Sequence, residues 1–230
     1  MASRPIFLPL SIPPWVRRYP VEFTWHAGLA VSQKQKSIAC LHEAARRQYH
    51  VSRLLEISSK STEPEGVAAS AFNLKIELPD GTRVPLECAY QGSKRFTDGG
   101  PHTELYRVAP IDAKRDQRVK GTASRLLSFE YFGTSWPLEP QSLFYDWLYI
   151  TAMSQSHNAA LLSSVREYDG YTDIEFNPEK SVSCQANSAA VLTGMSKASI
   201  DLKTASVPSR FRELSLVANG VTSEGQARLF

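Results

Sequence analysis

The sequence is short of cysteine, of net charge and of long apolar runs, and each shortage excludes a class of protein. Its three cysteines, Cys40, Cys88 and Cys184, are odd in number and far apart, which rules out a disulfide framework and a CxxC metal site. No apolar run approaches the length of a membrane-spanning helix, about 18 residues, and the proline-interrupted start has no signal-peptide cleavage site. We therefore expect a protein of the reducing cytoplasm that has no membrane partner.

The common motifs of nucleotide-binding proteins and hydrolases are also missing. The chain contains no GxGxxG, GxxxxGKS/T, GxSxG or HExxH pattern and no internal repeat. Its histidines are scattered, and neither His26 nor His42 has Cys, Asp or Glu at ligand spacing, so a structural or surface role is the simpler interpretation. We therefore expect no metal and no cofactor.

The composition is that of an ordinary folded protein. Of 230 residues, 42% are hydrophobic and 21% are charged, which argues against disorder and favours one domain with extensions. The net charge of +3 neither requires nor excludes a nucleic-acid partner, because phosphate binding depends on local clusters of Lys and Arg. We expect an N-terminal extension over residues 1–50 that packs on a core domain at 51–200, followed by a C-terminal tail at 201–230.

Hydrophobic periodicity and turn signals predict an α+β fold, mostly helical, with a small sheet or hairpin. The expected strands are residues 21–24, a buried strand at 53–58, and a hairpin whose turn is Pro79-Asp80-Gly81-Thr82. The expected helices cover residues 32–47, 84–94, 141–154, 158–166 and 183–195. Residues 168–173 are predicted to form a turn, and periodicity is lost from residue 203 apart from a short helix near Arg212.

The segment 84–94 is the most informative part of the chain. It places four polar side chains at the i, i+3, i+4 and i+7 positions of a predicted helix: Glu87, Tyr90, Gln91 and Lys94. A purely structural stripe would be apolar, so this face can form one wall of a pocket with a carboxylate and an amine. A solvated helix face with an exposed Glu and Lys is the competing interpretation.

Other polar or aromatic residues could converge with this face. The candidates are Lys60 in Ile57-Ser58-Ser59-Lys60-Ser61, Arg115 and Arg118 in the basic run 112–120, Trp136, and Asp173. Carboxylates can transfer protons, a desolvated lysine can attack an opened sugar, arginines bind phosphate and a tryptophan stacks on rings. Such a set suits cleavage of an N-glycosidic bond in a phosphorylated nucleoside derivative. A solvated helix face for the basic run and a core position for Trp136 remain open alternatives.

Several segments, in order, resemble the NADAR domain family, which includes the YbiA-type N-glycosidases. Residues 86–96 match the spacing of the family's SEHYFQAQKF-like helix start, in which Glu87 falls at the catalytic glutamate. Residues 57–61 resemble its FYSKS-type loop, and residues 110–118 resemble its proline–alanine–basic segment. Trp136 precedes a long apolar helix as in the family, and residues 169–173 resemble its acidic turn, which implies that Asp173 is the functional acid.

The departures from the family pattern point to a subgroup. Cys88 stands where the family has His, and Thr172 replaces a tryptophan–glycine pair. These changes weaken the case for the YbiA substrate. The segments 25–26, 136–138 and 173–178 are similar to the NADAR antitoxins that accompany DarT-type DNA ADP-ribosyltransferases. The resemblance spans residues 5–195 and would make residues 51–200 a NADAR-like catalytic domain with a YbiA-like fold.

The resemblance implies an antitoxin enzyme that removes ADP-ribose from guanine bases of DNA. Its partners would be ADP-ribosylated DNA, the ADP-ribose product and a cognate toxin. Two alternatives remain. One is a YbiA-like N-glycosidase acting on a phosphorylated riboflavin-pathway metabolite, and the other is a non-enzymatic antitoxin that binds its toxin.

The resemblance also suggests a role for each candidate residue. Glu87 would handle proton transfer, Lys60 or Lys94 would attack the sugar carbon as a Schiff-base nucleophile, and Asp173 would orient the ribose or assist proton transfer. The remaining candidates would bind the substrate, with the arginines on the pyrophosphate and the tryptophan against a ring: Tyr90, Gln91, Arg115, Arg118 and Trp136.

Overall fold

A computed structural model describes residues 1–120, 123–179 and 181–218. Its strands are β1 (Ala2–Pro9), β2 (Val16–Phe23), β3 (Leu54–Glu56), β4 (Lys75–Glu77), β5 (Arg83–Pro85), β6 (Lys94–Phe96), β7 (Leu126–Tyr131), β8 (Thr134–Trp136) and β9 (Gly170–Thr172). Its helices are α1 (Val31–Tyr49), α2 (Pro64–Ala68), α3 (Leu86–Gly92), α4 (Pro110–Arg115), α5 (Leu143–Ser154), α6 (Ala159–Val165), α7 (Gln185–Lys197), α8 (Leu202–Ala205) and α9 (Pro208–Ala218). Short 3-10 helices cover Thr103–Arg107 and Ser156–Asn158.

The main sheet has four strands in the order β2-β1-β9-β3. The long hairpin of β1 and β2 is antiparallel, and β1 pairs with β9 through Phe7 and Tyr171. Strands β3 and β9 are parallel, with Glu56 opposite Thr172. Because parallel strands end at the same edge of a sheet, the segments that follow β3 and β9 leave the sheet side by side.

The two faces of this sheet enter different cores. Successive residues of a strand point to opposite faces. Ile6 and Leu54 pack in a cluster with α1, whereas Phe7 and Leu55 pack in the larger cluster that contains α5 and α7. Continuing this alternation, Thr172 lies on the α1 face and Tyr171 on the α5 and α7 face.

The α+β class is confirmed, but the sheets are more extensive than the small sheet or hairpin that we expected. The predicted hairpin is present as β4 and β5, with residues 79–82 at its turn. Strands β6, β7 and β8 form a further antiparallel sheet. The predicted strand at 21–24 is the end of the longer β2, and the buried strand predicted at 53–58 is present as β3.

The prediction of a turn at residues 168–173 is wrong, because residues 170–172 form β9. All three of these residues are buried between β1 and β3. A three-residue strand has too little sequence for a period to be recognised, and this one exists through pairing with distant segments. The change matters because it places Asp173 directly at a strand end.

The predicted helices at 32–47, 141–154, 158–166 and 183–195 are confirmed as α1, α5, α6 and α7. Beyond them, the short helix expected near Arg212 is α9, and α8 precedes it with Asp201 as its N-cap. Phe211 on α9 is buried, and Trp147 Nε1 donates to the carbonyl of Ser206 at 2.8 Å. Residues 202–218 are therefore packed against α5, while the rest of the expected tail, 219–230, lies outside the described residues.

No helix among the described residues is both long and apolar enough to cross a membrane. Almost all residues of α5 are buried. It is a core helix, because its aromatic residues contact those of neighbouring elements.

Candidate active site

Helix α3 carries Glu87 and Gln91 into the interior of the protein. Glu87 lies in the first turn, where the unpaired N–H groups of a helix favour a negative charge. Its side chain is only 7% exposed, and its Oε1 accepts a hydrogen bond of 2.9 Å from Gln91 Nε2. The predicted shared face of these two residues is confirmed, and it is buried instead of solvated.

Lys94 lies beyond the end of α3, so its predicted helical position is wrong. The helix ends at Gly92, where a Cβ would come within 2.5 Å of the Tyr106 ring, and Lys94 is the first residue of β6. Its Nζ nevertheless lies 5.3 Å from the centre of the Tyr90 ring. Burial lowers the pKa of Lys94, and the nearby charge of Glu87 opposes this shift. Lys94 therefore remains close to Glu87, although by a different local structure.

A cavity of about 390 Å³ adjoins α3 on the side of Tyr90. Tyr90 stacks on Phe129 with ring centres 5.3 Å apart, and its hydroxyl lies 3.3 Å from Ser183 Oγ. The cavity wall also contains Leu138, Tyr145 and Val182. This combination of aromatic rings, apolar side chains and a few polar groups is typical of a small-molecule site.

Tyr145 connects this cavity with a second acid, Asp173. Burial raises the pKa of Tyr145 well above its usual range, and the charges of Glu87 and Asp173 add to the shift. A phenol that responds to both carboxyl groups lies near both of them. The two predicted acids, which are far apart in the sequence, are therefore brought together around α5.

Asp173 follows β9 and is buried. Its Oδ1 accepts from the N–H of Glu175 at 3.0 Å, its Oδ2 lies 4.0 Å from Cys184 Sγ, and the side chain of Gln185 also forms a hydrogen bond with it. Burial, and then the charge of Glu56, raises the pKa of Asp173 to about 8. Asp173 therefore holds a proton at neutral pH.

A chain of hydrogen bonds runs between the two acids. Gln185 Oε1 accepts from the N–H of Ala71 at 2.8 Å, and the carbonyl of Ala71 accepts from the N–H of Glu87 at 2.9 Å. Gln185 contacts Asp173 at the other end. This chain fixes the start of α3 relative to the end of β9.

Glu56, at the end of β3, is a buried acid that the sequence analysis missed. Its Oε2 accepts from Thr172 Oγ1 at 2.6 Å, and its Oε1 accepts from the N–H of Ile174 at 2.8 Å. On the α1 face, His42 Nε2 lies 2.8 Å from the same Thr172 hydroxyl, and burial followed by the charge of Arg46 lowers the pKa of His42 to about 4. The sequence signal for Glu56 was its position inside a predicted buried strand, because a buried carboxylate needs a hydrogen-bond or ion-pair partner.

Lys60 lies in the loop that follows β3 and is half-buried. Its Nζ donates to Ser59 Oγ at 3.0 Å. The N–H of Ile57 donates to the carbonyl of Thr172 at 2.8 Å, which extends the pairing of β3 and β9 to the last residue before Asp173. Lys60 and Asp173 thus follow neighbouring strands at the same edge of the sheet.

The basic residues of the segment 112–120 have different neighbours in the structure. Arg118 is exposed and already forms ion pairs with Asp116, at 2.8 Å, and with Glu104. Arg115 is an exposed residue at the end of α4. Lys114, also on α4, contributes to lowering the pKa of Lys94, so its charge reaches the site. Arg118 is therefore a poor anion clamp, and Lys114 is a basic residue that the sequence analysis had not singled out.

Trp136 lies in the core and does not line the cavity. Its side chain is fully buried, and its ring centre is 4.5 Å from that of Trp147. The guanidinium of Arg212 covers the ring at 4.6 Å. The expected packing of Trp136 against a ligand ring is therefore wrong, and Tyr90, Phe129 and Tyr145 supply the aromatic wall instead.

The arrangement thus combines two buried acids, two lysines and an aromatic cavity. Within the described ranges, no group of three or more His, Cys, Asp or Glu side chains is placed to hold a metal ion. The chemistry available from these side chains is proton transfer by carboxyl groups and nucleophilic attack by an amine.

Comparison with known proteins identifies the family of this chain. The family model of DarT1-associated NADAR antitoxins matches residues 2–223, which is nearly the whole chain. None of the curated proteins compared with the chain matches it significantly. The extent of the family match shows that this chain belongs to the family of DarT1-associated NADAR antitoxins.

Proposed function

We propose that this protein is an ADP-ribosyl glycosidase that removes ADP-ribose from guanine bases of DNA and thereby reverses the action of a DNA ADP-ribosyltransferase toxin. Membership of the family implies ADP-ribosyl glycohydrolase activity. The observation that carries the proposal is that two buried acids, Glu87 and Asp173, both act on the pKa of Tyr145, a residue of the aromatic cavity wall.

The two acids supply the proton transfers of glycosidic cleavage. A departing base must gain a proton, and a carboxyl group with a pKa near neutrality donates one efficiently. Asp173 is protonated at neutral pH because burial and Glu56 raise its pKa to about 8. Glu87, held by Gln91 and by the N-terminal turn of α3, handles proton transfer at the amine and the sugar.

A lysine amine is the proposed nucleophile. The ribose ring first opens between C1 and its ring oxygen, which gains a proton from an acid and leaves a C=N bond between C1 and the guanine nitrogen. The lysine amine adds to C1 of this C=N bond, the bond from C1 to the guanine nitrogen then breaks, and the base leaves with a proton from an acid. Water then hydrolyses the resulting imine, which releases ADP-ribose and restores the lysine. No electron acceptor or donor is needed, so the reaction balances with water alone.

Two lysines meet different requirements of this step. Lys94 lies near Glu87, and burial lowers its pKa, which increases the fraction of neutral amine. Lys60 follows β3 at the sheet edge where Asp173 follows β9. Borohydride reduction during turnover, followed by peptide mapping, identifies which amine forms the imine.

The cavity beside Tyr90 suits the guanine base. Its described wall contains aromatic and apolar side chains and no lysine or arginine, so it favours a flat ring over a pyrophosphate. Glu139 is part of this wall, and a carboxylate complements the neighbouring N–H donors on one edge of guanine. The phosphates would then lie toward Lys114 and Arg115 on α4.

The testing experiment measures release of free ADP-ribose from single-stranded DNA that carries ADP-ribosylated guanine. The native protein and the exposed-acid control Glu43→Gln should release ADP-ribose, whereas Glu87→Gln should not. Turnover by Glu87→Gln at the native rate would refute the role of Glu87. Release that is insensitive to salt and to competing DNA would instead favour a small phosphorylated N-glycoside as substrate, because DNA-backbone binding weakens steeply with salt.

A binding antitoxin predicts a different result. Such a protein forms a stable complex with the toxin, and its protection survives substitution of both Glu87 and Lys60. Protection of cells by the Glu87→Gln variant at the native level would therefore support binding over catalysis.

A further inference from the structure

The carboxylate of Glu56 holds the chain on both sides of Asp173. One oxygen accepts from the side chain of Thr172 at 2.6 Å, and the other accepts from the backbone of Ile174 at 2.8 Å. These two residues immediately precede and follow Asp173. Glu56 itself is 2% exposed and lines a different cavity, on the α1 face of the sheet, so it does not contact a substrate bound beside Tyr90.

We propose that Glu56 is a positioning residue for Asp173, which it clamps at the strand end and with which it shares a single negative charge, so that Asp173 is protonated when the reaction begins. This proposal rests on the function assigned above only in giving Asp173 a catalytic role. The clamp and the shared charge are properties of the folded protein and can be measured without any substrate.

The hydrogen-bond donors place the shared charge on Glu56. Two buried carboxyl groups close to each other cannot both ionise at ordinary cost. Burial raises the pKa of Glu56, but three donors, from Thr172, Ile174 and Ser58, oppose this shift because donors to a carboxylate stabilise its charged form. Asp173 receives fewer strong donors, and burial together with the charge of Glu56 keeps its proton bound.

His42 supports this distribution from the opposite side of Thr172. Because its pKa is lowered to about 4, its ring is neutral at the pH at which Asp173 titrates. The Thr172 hydroxyl donates to Glu56, so the remaining partner, His42 Nε2, donates to that hydroxyl. His42 therefore orients the Thr172 proton toward Glu56 without adding a positive charge.

Several side chains face Asp173 from the elements packed around it. Those that influence Asp173, or that respond to it, come from β3, from the loop after β9, from α5 and from the start of α7: Glu56, Glu175, Tyr145, Tyr149, Cys184 and Gln185. Burial raises the pKa of both tyrosines and of the thiol. Glu175 is paired with Lys34 at 3.4 Å, and Arg18 on β2 reaches Cys184. Glu56 is therefore the acid whose removal should move the titration of Asp173 most.

The test is a titration of Asp173 in protein that carries ¹³C-labelled aspartate, with the Asp173 signal assigned by its loss in Asp173→Asn. In the native protein the signal should titrate with a midpoint near 8. In Glu56→Gln, which keeps the shape but removes the charge, the midpoint should fall by about one pH unit or more. An unchanged midpoint would overturn the proposal, and Glu43→Gln, an exposed acid lining the same α1-face cavity, should leave it unchanged.

A second variant covers the case in which Glu56→Gln does not fold. Thr172→Val removes one donor to Glu56, so charge should move toward Asp173 and lower its midpoint, whereas an unchanged midpoint would again overturn the proposal. In an active enzyme, the loss of rate at high pH should shift to lower pH by the same amount. A shifted midpoint in a protein without glycosidase activity would refute the proposed function and leave the charge sharing established.

Discussion

Glu87 and Asp173 belong to two halves of the proposed site, and these halves are built in different ways. The hydrogen-bond partner of Glu87 is Gln91, four residues away on the same helix. The neighbours of Asp173 are Glu56, Cys184 and Gln185, which come from a distant strand and from the start of another helix. A half built within one helix can be recognised from spacing, whereas a half built at a strand end depends on which strands become neighbours.

The two halves also differ in their lysines. Lys94 belongs to the Glu87 half, and its amine is half-buried beside an aromatic ring. Lys60 belongs to the Asp173 half, and its amine is held by a neighbouring serine. The position of the nucleophile would therefore show which half carries the covalent step and which half serves the departing base.

The largest expected effect comes from the helix half. In Glu87→Gln the side chain can still accept the hydrogen bond from Gln91, but it cannot exchange a proton. We therefore expect kcat to fall by about 10²- to 10⁴-fold. The loss should appear in single-turnover release of ADP-ribose, with an unchanged melting temperature. A smaller effect than that of Asp173→Asn would show that the strand half dominates the chemistry.

The two lysines provide the next comparison. Lys94→Met and Lys60→Met each remove one amine while keeping an unbranched chain, and we expect only one of them to abolish the borohydride-trapped adduct. That variant should also lose about 10²-fold or more in kcat, as expected for an essential catalytic group. Trapping that survives in both variants, or that never occurs in the native protein, would contradict the Schiff-base route.

Asp173 and His42, on opposite faces of the sheet, should affect the pH dependence of the free energy of unfolding with opposite signs. Asp173 has a pKa of about 8 in the folded protein and about 3.9 when unfolded, so the native state binds more protons between these values. The Asp173 contribution to stability should therefore fall as pH rises from about 4 to about 8. Below about 6.5 the opposite contribution of His42 offsets this fall, so the net decline should appear between about pH 6.5 and 8 and then level off. His42 has the opposite sign, because the unfolded chain binds more protons below about 6.5.

Melting temperatures across this pH range provide the measurement. The decline between pH 6.5 and 8 should be weaker in Asp173→Asn than in the native protein. His42→Gln should change the profile only below about pH 6.5. An equal decline in Asp173→Asn would show that Asp173 is ionised in the native state throughout.

The smallest expected effects concern the basic segment. Lys114→Ala should raise KM for ADP-ribosylated DNA about fivefold, the equivalent of about 1 kcal/mol for a surface charge contact. Arg118→Ala should change KM less, because Arg118 is occupied by Asp116 and Glu104. A larger effect of Arg118→Ala would mean that the arginine exchanges these partners for phosphate on binding.

Features that have local sequence signals were predicted correctly, whereas features that depend on contacts between distant segments were not. The buried Glu87 and Gln91 face, the hairpin turn at 79–82 and helices α1 and α5 all have local signals in spacing or turn residues. Lys94 was placed on the wrong element because α3 ends at Gly92, where the approach of Tyr106 leaves no space for a side chain. Trp136 was assigned to a pocket although its surroundings come from α5 and α9.

Local patterns alone thus identified the acid on α3, its neighbour Gln91 and the family resemblance, because a helix repeats its geometry every few residues. The state of Asp173 could be known only after folding. Its raised pKa depends on burial and on the charge of Glu56, and Glu56 is nearby because β3 and β9 pair in parallel. The separation of Glu56 and Asp173 in the sequence does not reveal that they are neighbours. Their strands pair because the whole sheet packs between its two cores.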